Sequence, residues 1–200
     1  MSRAIRYDRL PTERQHPRSR DLERLPLPRL LGLMTDEDAR VLRAVRSQHP
    51  RIAKAIRLIA DCLRGRGRLI FVGAGTSGRL GVIEAAECPP TFHTAPSMVQ
   101  ALIAGGPRAV FRSQEGAEDR RAEGRRAIRR RARAGDIVVG IAASGVTPFV
   151  DAALREASRL GARTVLITCS PRAPIRATVR IAVPVGPEVL TGSTRLKAGT

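Results

Sequence analysis

Residues 68–78, RLIFVGAGTSG, decide the fold: the apolar run Leu69, Ile70, Phe71, Val72 leads straight into a loop of small and hydroxylated residues. An apolar run this short, with no polar alternation, reads as a strand buried on both faces. In the loop, glycines let the backbone approach a ligand closely, and a helix starting there offers unpaired N–H groups to an anion. It is not a dinucleotide fingerprint, which tolerates any residue where Thr76 and Ser77 stand, and it lacks the Gly-Lys-Ser/Thr of a nucleotide P-loop. The purely structural reading of the same residues is a tight strand–helix turn capped by hydroxyls.

Working outward, the pattern alternates. After the loop a helix is expected through Val82, Ile83 and Ala86, ending before Pro89-Pro90. Met98–Ala104 is a second apolar run, closed by Gly105-Gly106. Residues Asp119–Ala134 read as a helix with an apolar stripe of Gly124, Ile128 and Ala132 and arginines around the rest of the circumference. Asp136–Ala143 is a third strand, followed by a helix reaching Leu160. Thr164–Thr168 is a fourth strand and Val179–Val185 a fifth. Upstream, Thr35 reads as an N-cap before an acidic first turn, and helical spacing continues to Leu63, divided at Pro50 and stopped by Gly65 and Gly67. The fold expected is an α/β three-layer sandwich with a mainly parallel five-stranded sheet, preceded by N-terminal helices. A Pro- and Arg-rich arm, residues 1–34, precedes the domain of residues 35–200.

In such sheets the ligand lies at the carboxyl ends of the strands. Three Gly/Ser/Thr clusters fall there, each read as opening a helix: Gly75, Thr76 and Ser77; Ser144 and Gly145; Ser193 and Thr194. Converging neutral donors of this kind suit a small phosphorylated molecule. Thr147-Pro148 is sufficiently explained as an N-cap with proline at the first helical position. Two acids stand out in connecting loops, Glu87 in ECPPTF and Glu118 in GAED. An acid at a helix C-terminus opposes the dipole, so Glu87 needs a reason outside its helix, either chemistry or a salt bridge to an arginine.

Composition narrows the partners. The net charge is +18, from 36 basic and 18 acidic residues, and all the basic residues except Lys54 and Lys197 are Arg. Clustered cations favour polyanions, but aromatics are 2% of the chain, too few for a base-stacking platform. The near-absence of Lys reads as codon bias, and a nucleic-acid partner is not expected. No apolar run reaches the roughly 18 residues of a membrane span, and the N-terminus has no apolar core of a secretory signal. Cys62, Cys88 and Cys169 are an odd number without a CxxC pair, which suits a reducing cytoplasm and offers no metal template.

The strings GAGTSGRLGVI (73–83), AECPPTF (86–92), LIAGG (102–106), GAED (116–119), VGIAASG (139–145) and VGPEVLTGSTRLKAGT (185–200) together closely resemble the N-acetylmuramic acid 6-phosphate etherase family. Residues 12–22 and 34–38 resemble it too, so the likeness covers nearly the whole chain. The resemblance implies a sugar isomerase (SIS) domain. It implies a lyase that cleaves the D-lactyl ether of N-acetylmuramic acid 6-phosphate to N-acetylglucosamine 6-phosphate and D-lactate, in recycling of cell-wall sugars. It further implies a cytoplasmic homodimer without metal or other cofactor, a sugar-phosphate substrate, Glu87 as proton donor and Glu118 as base. Val146 and His16 depart from the family pattern, whereas Glu23 and Glu84 are mild changes. Family members also continue past the KAGT motif, so the resemblance implies a chain that stops short. Two alternatives remain at this stage: a non-catalytic sugar-phosphate regulator on the same fold, as among glucokinase-regulator relatives, and an inactive fragment.

Overall fold

In the computed structural model, which describes residues 10–199, five strands form one parallel sheet. They are β1 (Leu69–Gly73), β2 (Val99–Ile103), β3 (Ile137–Ile141), β4 (Arg163–Thr168) and β5 (Val179–Ala182), in the spatial order β2-β1-β3-β4-β5. Register runs from Leu69 opposite Val99 and Ile137 to Val165 opposite Val179. The helices are α1 (Leu27–Ser47), α2 (His49–Arg64), α3 (Gly75–Phe92), α4 (Arg108–Phe111), α5 (Arg121–Arg129) and α6 (Pro148–Arg159).

Successive strand side chains point to opposite faces, so each strand feeds two cores. Ile70, Val72, Val138 and Leu166 pack with Ile128 of α5 and Phe149, Val150 and Leu154 of α6. Leu69, Ile137, Val139 and Val165 pack with Ala55 and Ile59 of α2 and Ala85 of α3. That double covering is why the strands read as continuous apolar runs. Glycines set the closest approaches. A Cβ on Gly73 would lie 2.6 Å from the Gly78 nitrogen, so the first turn of α3 presses directly on the end of β1.

Four boundaries differ from the sequence reading. The first helix starts at Leu27, inside the segment read as arm, because prolines at 26 and 28 preset a helix start and Leu33, Glu37 and Val41 bury one stripe. Thr35 is therefore mid-helix, its hydroxyl donating to the Leu31 carbonyl at 2.9 Å rather than capping. Helix α3 runs through Pro89 and Pro90 to Phe92. Both prolines lie in its last turn, where their fixed φ of about −65° is itself helical. The arginine-rich helix stops at Arg129, short of Ala134. Finally, among the described residues no helix opens at Gly192: β5 ends at Ala182 and the later winding is a 3-10 turn, Lys197–Gly199. That turn begins where the Glu188 carboxylate accepts the backbone N–H groups of Lys197 and Ala198, both at 3.0 Å. The first nine residues of the expected arm, and Thr200, lie outside the described residues. No helix among the described residues is long and apolar enough to cross a membrane.

Candidate functional site

The sheet order reverses between β1 and β3: the chain goes from β1 outward to β2 and from β3 outward to β4 and β5. A crevice opens at the carboxyl ends of two strands that part in this way. Here it holds a cavity of about 230 Å³ lined by Thr76 and Ser77 from the start of α3, Ser144 and Thr147 from the β3–α6 loop, and Thr194 and Arg195 from the C-terminal turn. Glu13 of the arm closes another side.

The helix ends explain why an anion suits this cavity. The N-cap positions of α3 and α6 are Ala74 and Thr147, and neither makes a side-chain cap hydrogen bond. The first-turn N–H groups of both helices are thus left for another acceptor, with both dipoles positive at that end. Among the described residues the hydroxyls of Thr76, Ser77, Thr147 and Thr194 and the guanidinium of Arg195 make no intramolecular side-chain hydrogen bond. Two uncapped helix ends and several neutral donors, with one arginine, therefore face the same space.

A second cavity, of about 410 Å³, shares Ala74, Thr147, Gly192 and Thr194 with the first and continues the cleft. Glu118 lines it, half-buried, from a 3-10 turn at Ala117–Asp119. Gly75, Arg79, Gln114 and Glu115 line it as well. Arg79 donates Nε–H to the Val110 carbonyl at 2.8 Å, which fixes the short α4 against α3.

Of the residues singled out from sequence, the fold brings Gly75, Thr76, Ser77, Ser144, Thr194 and Glu118 to this cleft. Three it does not. Gly145 is buried behind it, at φ 72°, where a Cβ would collide with Ala173 and lie 2.8 Å from the Thr168 hydroxyl. Ser193 is buried and lines neither cavity. Glu87 is exposed on α3, twelve residues past Gly75 and so about 18 Å along the helix from the loop. Sequence reasoning also missed residues. Thr147 was accounted for by capping, yet its side chain does not cap. Glu13 and Arg195 lie in stretches that carry the family resemblance but are not singled out by residue type among so many charges.

Comparison with known proteins places this geometry. The family model for the glucokinase regulatory protein N-terminal SIS domain matches residues 51–158, more than half of the chain. The chain belongs to the SIS-domain family. A general SIS-domain model also matches residues 122–198. This SIS domain is 55% identical over 194 residues to the N-acetylmuramic acid 6-phosphate etherase of Gloeobacter violaceus, covering 96% of the chain and 63% of that relative. It is 49% identical over 198 residues to the etherase of Symbiobacterium thermophilum, covering 98% and 66%. With the etherase of Cutibacterium acnes it shares 52% identity, covering 94% and 63%. The chain thus spans just under two thirds of the length of these curated relatives. Among solved structures, the SIS domain superposes on phosphoheptose isomerases from Neisseria gonorrhoeae (TM-score 0.60, 19% identity, 86% of this chain and 90% of that one) and Francisella tularensis (TM-score 0.58, 17% identity, 86% and 91%). At that identity the structural likeness speaks for the fold alone.

Proposed function

We propose that the chain supplies the SIS domain of a lyase that cleaves the D-lactyl ether of N-acetylmuramic acid 6-phosphate, releasing D-lactate and N-acetylglucosamine 6-phosphate. The observation that carries this reading is the convergence of two uncapped helix N-termini and four hydroxyls on one cavity. The identity of about half the residues with curated etherases supports the chemistry.

The cleft divides the substrate. Its phosphate occupies the smaller cavity, held mainly by neutral donors and helix ends, with Arg195 as the cation at the rim. The sugar extends into the larger cavity toward Glu118. In the open-chain sugar the C1 aldehyde acidifies the C2 proton, and a carboxylate removes it. The C2–H electron pair then forms the C2–C3 double bond as the C3–O bond to lactate breaks. A carboxylic acid protonates the departing lactyl oxygen, and water adds across the double bond at C3 to restore the hydroxyl. Glu118 is the base in this scheme and Glu87 the acid.

A separation of about 18 Å along α3 prevents Glu87 from serving the cleft of its own chain. The reading therefore includes a homodimer in which Glu87 of one copy completes the cleft of the other. Exposed Ile83 and Phe92 on the same helix, 55% and 71% accessible, supply apolar surface for such a contact. Three free cysteines fit the reducing cytoplasm proposed for it. No nucleic-acid partner is included in this reading. Lactate release from N-acetylmuramic acid 6-phosphate tests it, with exchange of the C2 proton into deuterated solvent measured alongside. Wild-type exchange in Glu118→Gln removes Glu118 as base, and sugar-phosphate binding without turnover in any longer form of the chain favours a regulator instead.

A further inference from the structure

Two pieces of the phosphate cavity come from segments that no strand or long helix holds: Glu13 from the arm, and Gly192, Thr194 and Arg195 from the turn after β5. The backbone hydrogen bonds from Ser193 to Leu190 and from Leu196 to Ser193 are local and fix the shape of that turn. A buried ionic cluster on α1 supplies the link. Glu37 is 1% exposed, and its carboxylate receives Lys197 Nζ at 2.6 Å, Arg40 at 2.8 Å, and His16 Nε2 and Arg18 each at 3.3 Å. Lys197, 3% exposed, also donates to the Val185 carbonyl at 3.0 Å. His16, 2% exposed, accepts the Arg18 backbone N–H at Nδ1, which leaves Nε2–H to face Glu37. One carboxylate thus joins three parts of the chain, with Lys197 two residues from Arg195 and His16 three residues from Glu13.

We propose that Glu37 is a positioning residue for the phosphate cavity, holding the Gly192–Arg195 turn through Lys197 and the Glu13 arm through His16 and Arg18. The proposal rests on the reading of that cavity as a sugar-phosphate site. A buried ion pair is a poor source of net stability but defines a single arrangement well when every partner is satisfied. Val185 and Ala198 already anchor the turn's ends by apolar packing with Val41. The ionic cluster adds the orientation that such packing leaves free.

The test compares the wild-type chain, Glu37→Gln, and the double variant Glu37→Gln/Lys197→Met, which removes both charges and keeps the fold measurable if the single variant is too unstable. Each is titrated with N-acetylglucosamine 6-phosphate and with inorganic phosphate, and amide hydrogen exchange is read across the chain. If the competent arrangement falls to about a tenth of the population, apparent Kd rises about tenfold. We expect that rise for both probes in both variants, with faster exchange at residues 12–19 and 193–198 and unchanged exchange in the five strands. Wild-type affinity in Glu37→Gln overturns the proposal, as does recovery of affinity together with melting temperature in the double variant. Absence of binding by the wild-type chain sinks the cavity reading itself, and this proposal with it.

Discussion

At the residue scale, the cleft assigns work to side chains by what they do not do. Thr147 occupies the N-cap of α6 without capping it, and Thr76 and Ser77 sit inside the first turn of α3 rather than before it. Their hydroxyls are left for a ligand. Glu118→Gln is expected to lower lactate release by about 10²- to 10⁴-fold, the usual worth of a positioned general base, with sugar-phosphate affinity retained; steady-state kinetics and a binding titration separate the two. Gly145→Ala is expected to cost roughly 1–3 kcal/mol in urea unfolding, since it combines a left-handed backbone with a collision at Ala173. The sequence made the hydroxyl loops legible because glycine and hydroxyl residues cluster in few other ways. Glu37 and Lys197 were not legible, being 160 positions apart and joined only by the fold. Nor was the role of Gly145, which looks like a ligand loop in the sequence and serves packing against Ala173 and Thr168 in the structure.

At the scale of elements, β1, β3 and β4 are readable because burial on both faces leaves little alternation to confuse the pattern, whereas β5 alternates about the exposed Arg180. Helix ends were harder. The start of α1 was hidden because Thr35 and the acids after it imitate a cap, while the burial of Leu33, Glu37 and Val41 decides otherwise. The α5 arginines are exposed around the buried stripe of Gly124 and Ile128, as the sequence pattern indicates, and Arg121, Arg125 and Arg129, at four-residue spacing, also line a surface cleft with Arg155 and Arg159 of α6. Asp151 there takes Arg121 and Arg155, and Glu156 takes Arg129 and Arg159.

Glu156, Glu37 and Asp136 set an acid limit on stability. Hydrogen bonds from Arg159 and then Arg129 outweigh burial and hold Glu156 at about 2. For Glu37 and Asp136 burial pushes upward, but the bonds from Lys197 and from Arg68, with nearby charges and backbone N–H groups, prevail and hold both below the ordinary range. A folded value below the unfolded one gives stability that is fully present above the unfolded value and is lost as pH falls through the folded one. Melting temperature is therefore expected to hold between pH 7 and about 5 and then fall steadily toward pH 2, with a shallower fall in Asp136→Asn. A flat profile down to pH 3 would contradict the assignment. Leu154→Ala, at a fully buried site between α6 and the sheet, is expected to cost about 2–5 kcal/mol.

At the scale of the whole molecule, the net charge is +18, and one of its arginines, Arg195, lines the phosphate cavity. The order β2-β1-β3-β4-β5 puts the crevice between β1 and β3, and the loops of Thr76, Ser77, Ser144 and Thr147 reach the cleft because of that order. Glu87 lies about 18 Å along α3 from the loop, so the proposed scheme brings the two acids together between copies. An equal mixture of Glu87→Gln and Glu118→Gln chains is then expected to recover about a quarter of wild-type activity, since half the dimers are mixed and each carries one intact site. No recovery on mixing would place both acids in one chain or remove one of them from the reaction.

Whether the cleft is built for a sugar phosphate on helix ends and hydroxyls is decided by calorimetric titration of the chain with N-acetylglucosamine 6-phosphate and with N-acetylglucosamine. Saturable one-site binding of the phosphorylated sugar is expected, weakened about 5- to 150-fold in Ser77→Ala/Thr194→Ala by loss of two donors at about 0.5–1.5 kcal/mol each, with no measurable binding of the unphosphorylated one. Equal affinity for the two sugars, or phosphate binding indifferent to Ser77 and Thr194, would contradict that reading.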